Sequence, residues 1–480
     1  MKRRDAMKLF PLSLAGAAGM AKQAVGGEIN YLNNPDINAQ GLTGSGEPLA
    51  VTYSKRARER INWIRENQSD NLLEAAYAIA RTVKNGGQCY QRGWDAGHSS
   101  ADSWPGRNGE PEIFSTNFDI NKLKKGDLLL SSADGFEYKP EDLKGAFVIG
   151  CPGPWSGDAK YPELLRKTPD DISRFKLRPY ADLYIENNAT ALGGVVYVEG
   201  MPAPFGPVSG FTGKTTIWMI LADACRILAR DGINRPVKGD EPLLKENFDY
   251  KNYQGVMTLK VERRSLNKPL MGSYFNELSQ QLDMVFAEYG TMKKVASMCV
   301  DSLMKHGVIY GTGPLAGEAG GRRSGLCVTE SARLNTDEAR KNFKGTSNDC
   351  AILGVTKPDD PNDLANLDLF RSRGMNVACI GPMTRSIMIP EGRTVQKESD
   401  FNLGRMCDTY GLFAIPGFER RICPTSGVLL DHLYWCTMLE VVQQYIERSG
   451  GDVPGAYFSQ ALQDGNEWKL RLYELYMRRP

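Results

Sequence analysis

Histidine is scarce in this chain of 480 residues: there are three, His98, His306 and His432, far apart and without the spacing of metal ligands. That argues against a structural zinc site, and the sequence calls for no metal and no cofactor. The ten cysteines never fall in C-x-x-C and are scattered through apolar segments, which argues against a disulfide scaffold. Net charge is lacking too. Lys and Arg number 59 against 57 for Asp and Glu, so charge points to no nucleic acid partner and no acidic surface. No apolar run reaches the roughly 20 residues of a membrane span. What remains is 41% hydrophobic and 24% charged, the composition of a soluble globular chain long enough for two or three domains.

The N-terminus is different. Lys2-Arg3-Arg4 leads into Leu9-Phe10-Pro11-Leu12-Ser13-Leu14 and a run of Ala and Gly to Ala21. A basic end, a short apolar stretch and small residues predict a secretory signal over residues 1–25, with an arginine pair of the twin-arginine type. The mature chain is then expected to begin between residues 18 and 28, in the periplasm or otherwise outside the cytoplasm. A basic N-terminus on a cytoplasmic protein is the alternative. Residues 22–52, rich in Gly, Asn and Pro, read as an irregular lead-in.

The rest of the chain is written twice. Gly87, Tyr90, Gly93, Ala96 and Gly97 recur 220 positions later as Gly307, Tyr310, Gly313, Ala316 and Gly317. Pro207, Ser209, Gly210 and Trp218 recur as Pro424, Ser426, Gly427 and Trp435, now 217 positions on. Two anchors in the same order at nearly the same offset mark a duplication, with copies over 53–253 and 272–480 joined by 253–272.

Local patterns agree between the copies. Ser69-Asp70 can cap a helix carrying Leu72, Leu73, Ala76, Ile79 and Val83, which Asn85-Gly86-Gly87 ends. A separate segment, Ile61–Ile64, precedes it. Copy two has Phe275 to Tyr289, then Met292 to Leu303, ending at His306-Gly307. Short apolar strands follow at Gln88–Gln91 and Val308–Tyr310, Asp127–Leu130 and Cys350–Val355, Ala146–Ile149 and Asn376–Ile380. Helix, strand and glycine loop in alternation predict an α/β fold: doubly wound parallel sheets in three layers. Such sheets take ligands at the carboxyl ends of their strands.

Helix, Gly-containing end, strand and then Gly311-Thr312-Gly313 resembles the opening of a sugar-isomerase (SIS) domain. Asp95-Ala96-Gly97-His98-Ser99 is similar to the Gly-Thr-Gly-His-Ser of one sugar-isomerase branch, with Asp in place of the first Gly. Lys125-Gly126-Asp127 before a strand ending at Ser131-Ser132-Ala133-Asp134-Gly135 resembles the family's Ser-x-Ser-Gly segment. Phe205-Gly206-Pro207-Val208-Ser209-Gly210 resembles its Pro-x-Ser segment. The resemblance implies two SIS-like domains packed as a pseudo-dimer. It also implies a sugar or sugar derivative as ligand, phosphorylated in much of the family, and in some members aldose–ketose isomerisation. A non-catalytic carbohydrate-binding or regulatory protein, or an exported carbohydrate enzyme of another reaction type, stay open, as does a homo-oligomer. Two features favour an unphosphorylated ligand: Asp134 in one loop and Asp359-Asp360 in its counterpart would repel a dianion.

Within that frame the candidate catalytic residues are His98, Glu318 and His432. His98 lies after the first strand, where it could act as general acid/base or simply fix the turn. Glu318 is its counterpart and could shuttle a proton between adjacent sugar carbons or be a solvated loop carboxylate. His432 follows Asp431 near a helix start and is placed on a rim, or else is exposed behind a capping Asp431. Ser99, Ser132, Ser209, Lys214, Thr312 and Ser426 are the candidate substrate-binding residues. Gly210-Phe-Thr-Gly213-Lys214-Thr215 is a near miss to a P-loop, because Val208 stands where the first glycine must be.

Overall fold

The computed structural model describes residues 47–92, 109–115, 118–131, 140–151, 181–189, 194–199, 201, 204–239, 259–320, 325–382, 392–405 and 410–456. Helix α1 (Leu49–Lys84) is the first described element, and Leu49, Tyr53, Ala57, Ile61, Ile64, Leu72, Ala76 and Ile79 line its buried face. With neither Gly nor Pro between Leu49 and Lys84, nothing stops it. This corrects two expectations. Ser69-Asp70 does not start a helix; Ser69 lies inside one, its hydroxyl bonded back to the Arg65 carbonyl. Residues 49–52 belong to that helix and not to an irregular lead-in.

The first sheet contains β1 (Cys89–Arg92), β2 (Phe114–Ser115), β3 (Leu128–Ser131), β4 (Phe147–Gly150) and β5 (Leu183–Tyr184), in the order β2-β1-β3-β4-β5. All its pairings are parallel. Helix α2 (Ser209–Arg230) closes this half. The second half begins with α3 (Met271–Met284) and α4 (Tyr289–Met304), separated by one 3-10 turn. Its sheet contains β6 (Ile309–Thr312), β7 (Thr329–Ser331), β8 (Cys350–Gly354), β9 (Asn376–Pro382) and β10 (Phe401–Arg405). The order is β7-β6-β8-β9-β10, again wholly parallel. Short α5 (Ala316–Gly320) follows β6, α6 (Pro361–Ser372) follows β8, and α7 (Ser426–Ser449) closes the half. The chain is α/β with two parallel-sheet cores of one topology. β3 and β8 are buried at every residue, as strands covered on both faces must be.

The likeness extends to single atoms. Asp127 accepts the backbone N–H groups of Gln88 (2.9 Å) and Lys124 (3.1 Å), tying the start of β1 to the turn before β3. Asp349 accepts those of Val308 (2.8 Å) and Thr346 (2.6 Å). The Tyr53 hydroxyl donates to the Pro207 carbonyl at 2.9 Å, and Tyr274 to that of Pro424 at 3.1 Å. Each closing helix also caps the opening helix of the other half. The Gln443 side-chain Oε1 accepts the Leu49 N–H at 3.0 Å, and the Asp223 carboxylate those of Leu270 and Met271. Every residue from Phe211 to Ala229 and from Ser426 to Val442 is buried, so α2 and α7 form the centre of the molecule. No described helix is long and apolar enough to cross a membrane. The nine described cysteines are buried.

Candidate functional site

In a 2-1-3-4-5 sheet the order reverses between the first and third strands, and a crevice opens there at the carboxyl edge. In the second half that point is the end of β6 beside the end of β8. Gly313 turns the chain there with φ +58°, and a Cβ on it would stand 2.5 Å from the Gly354 carbonyl. Glycine is therefore required. Thr312, the last residue of β6, is wholly buried, and its Oγ1 has no hydrogen-bond partner among the described residues. A buried hydroxyl without a partner costs about 1–3 kcal/mol, so such a group marks a place where something else can bond.

Opposite it stands the first turn of α6. Asp360 caps this helix, accepting the N–H groups of Asn362 (2.9 Å) and Asp363 (3.1 Å), with Pro361 at the first helical position. The helix end that would cradle an anion is thus closed by the chain's own carboxylate. Asp363 is 9% exposed, and its Oδ1 lies 3.7 Å from the position a Gly313 Cβ would take. Burial, reinforced by the charge of Asp360, pushes its carboxyl up to about 7. Further along the edge, the Gln396 amide donates to the Pro382 carbonyl at 3.2 Å, while its Oε1 has no partner among the described residues.

The predicted residues divide into three sets. His98, Ser99 and Ser132 lie outside the described residues, as does Asp134. Thr312 and Glu318 belong to the carboxyl edge of the second sheet. Glu318 sits half-buried on α5 and accepts the Trp435 indole N–H at 3.0 Å, so it is a held carboxylate and not a solvated one. Ser209, Lys214, Ser426 and His432 lie in the helical seam between the halves. Ser209 and Ser426 are buried first residues of α2 and α7. Lys214 makes a buried ion pair with Asp431.

His432 corrects its expectation: it is neither on a rim nor exposed. Its ring is wholly buried, with Tyr53 and Phe211 at centroid distances of 5.5 and 5.0 Å, and Nε2 lies 2.9 Å from the Ser54 hydroxyl. Burial, and secondarily the charge of Arg58, lowers its pKa to about 3, so it is neutral at ordinary pH. The seam and the edge approach one another at Tyr53. Burial holds its hydroxyl pKa high, with further contributions from Cys436, then Glu318 and Asp431.

Asp363 and Gln396 were not anticipated from the sequence. A signal for Asp363 exists in Asp360-Pro361-Asn362-Asp363, a helix start whose third helical position turns toward the preceding strand end. Gln396 carries no such signal. Among the described residues no cluster of three or more His, Cys, Asp or Glu could hold a metal. A cavity of about 410 Å³ lies at the opposite, amino-terminal edge of the first sheet, between Arg81, Gly87, Lys125, Asp127 and Phe147. None of the predicted residues lines it.

No family model matches the chain. A UPF0309 protein of Geobacillus thermodenitrificans (strain NG80-2) is 24% identical over 223 residues, covering 38% of this chain and 85% of that protein. Among solved structures, a candidate phosphosugar isomerase of Clostridium difficile 630 aligns over 85% of this chain and 100% of its own, with TM-score 0.44 and 11% identity. The C-terminal domain of glucosamine-fructose-6-phosphate aminotransferase from Francisella tularensis aligns over 85% and 96%, with TM-score 0.42 and 10% identity. At this distance neither structure bears on what the chain binds.

Proposed function

We propose that this chain is a tandem SIS-type protein that binds an unphosphorylated sugar or sugar derivative at the carboxyl edges of its sheets. The observation that carries the reading is the switch point of the second sheet. There the buried Thr312 hydroxyl, without a described partner, stands beside a helix end already closed by Asp360. Hydroxyl and carboxyl groups suit a polyol, and the carboxylates oppose a phosphate. Asp363, with its carboxyl near 7, is suited to give or take a proton, as isomerisation between adjacent sugar carbons would need. Binding without catalysis is the second reading, favoured by the burial of His432 and the engagement of Glu318 by Trp435. The same reading makes 53–253 and 272–480 the two domains and places the mature protein outside the cytoplasm, which N-terminal sequencing of a periplasmic fraction tests.

A thermal-shift screen of free sugars against sugar phosphates is the direct experiment. A free sugar should raise the midpoint. Thr312→Val should then weaken its binding by about 5- to 150-fold, the equivalent of one buried polar contact. Asp363→Asn should abolish exchange of the sugar's C2 hydrogen with D2O if the protein isomerises, and leave binding largely intact. A response to sugar phosphates alone, or a Thr312→Val variant that binds as the parent does, would refute the assignment.

A further inference from the structure

We infer that the buried Lys214–Asp431 pair is a pairing code: it lets the two unlike halves of this chain associate and prevents either from associating with its own kind. Lys214 is the sixth residue of α2 and Asp431 the sixth of α7, 217 positions apart, so they are equivalents within the duplicated unit. Equivalent residues touch each other only where they lie on the axis relating the two copies. On that axis an exchange of partners has a simple consequence. Two first halves joined through this face would set Lys214 against Lys214, and two second halves Asp431 against Asp431. The side chains are 3% and 2% exposed, so neither like pair could solvate its charge.

The surroundings of the axis are unlike in the same sense. His432 bonds Ser54 of the other half at 2.9 Å, whereas its equivalent, Thr215, turns back to its own helix at the Phe211 carbonyl, 2.8 Å away. The seam is therefore built for one of each half. Every molecule accordingly carries one site of each kind, and symmetric self-assembly through this face is closed to it. The inference does not depend on what the sites bind.

The test uses the full chain, refolded from denaturant over a range of concentrations and sized by native mass spectrometry. Lys214→Asp alone and Asp431→Lys alone should lose most folded protein, as removal of one partner from a buried pair does. Two double variants decide the matter. Lys214→Asp with Asp431→Lys restores complementarity and should give the parent's species. Lys214→Met with Asp431→Leu should fold as well as the parent, yet yield roughly tenfold more two-chain species, because first half can then pair with first half and second with second. That ratio corresponds to about 1.4 kcal/mol of lost discrimination. If the Met/Leu variant refolds to the parent's distribution, or the reversed pair fails to restore it, the code is refuted.

Discussion

The two halves share their backbone restraints and differ in their charges. In both, a glycine after the opening helical unit lies against the carbonyl before the third strand: a Cβ on Gly87 would stand 2.1 Å from the Gly126 oxygen, and one on Gly307 1.9 Å from that of Asn348. In both, an aspartate ties that turn to the first strand. Elsewhere they part. One continuous helix in the first half is two helices in the second. Lys214 faces Asp431, and Thr215 stands where the second half has His432. The comparison teaches which features belong to the unit and which to its employment. Close approaches between main chains recur because the sheet cannot close without them; side chains at the seam and strand ends were free to diverge.

The largest effect should come from breaking what is shared. Gly307→Ala and Gly87→Ala each force a carbonyl of the neighbouring turn to move, so each should destabilise by about 3–5 kcal/mol, at the upper end for single substitutions. Urea unfolding measures this. Near-equal losses would confirm that both copies depend on the same approach. A loss below about 1 kcal/mol in either would mean that its turn can yield, and that the unit is less rigidly repeated than the geometry implies.

Much of this was readable in the sequence because glycine contacts and apolar runs are local. Gly87 and Gly307 were the anchors of the repeat, and the six inner strands appear within a residue or two of their expected places. The edge strands β2, β5, β7 and β10 were not legible. β2 and β5 are two residues long and carry no period of their own. The site divides likewise. Thr312 was legible from Gly311-Thr312-Gly313. His432 was misplaced because a position nearly two turns inside a helix says nothing about what packs over it. Burial by Tyr53 and Phe211, from elsewhere in the chain, is a tertiary fact.

A second contrast can be sharpened by pH. Asp363 has its carboxyl raised from 3.8 to about 7, so the folded state holds a proton there that the unfolded chain releases. Its contribution makes stability fall as pH rises from about 4 to 7. His432 is lowered from 6.5 to about 3, so the unfolded chain takes the proton, and stability falls as pH drops from 6.5 toward 3. Between pH 4 and 6.5 the two slopes oppose, each of order 1 kcal/mol per pH unit. Asp363→Asn should gain on the parent as pH rises through that window. His432→Thr, which installs the first half's residue, should gain on the parent as pH falls. Unfolding midpoints at several pH values check both, and a difference flat with pH for either variant would refute that group's part.

The smallest effect concerns the helix ends. Gly86 and His306 occupy the same place after α1 and α4, with φ +75° and +61°. The left-handed region costs a side-chain-bearing residue about 1 kcal/mol relative to glycine, and nothing lies within 4 Å of a Cβ built on Gly86. Gly86→Ala should therefore pay the backbone cost alone, losing about 1 kcal/mol without steric addition. His306→Gly removes the same cost but loosens the unfolded chain, which returns part of the gain, so it should stabilise by about 0.5 kcal/mol. Opposite signs at equivalent positions are the point of the measurement. If His306→Gly instead destabilises by more than about 1 kcal/mol, the imidazole's own contacts outweigh the strain. His306 would then be a specific feature of the second half, and not a tolerated substitute for the glycine that the unit calls for.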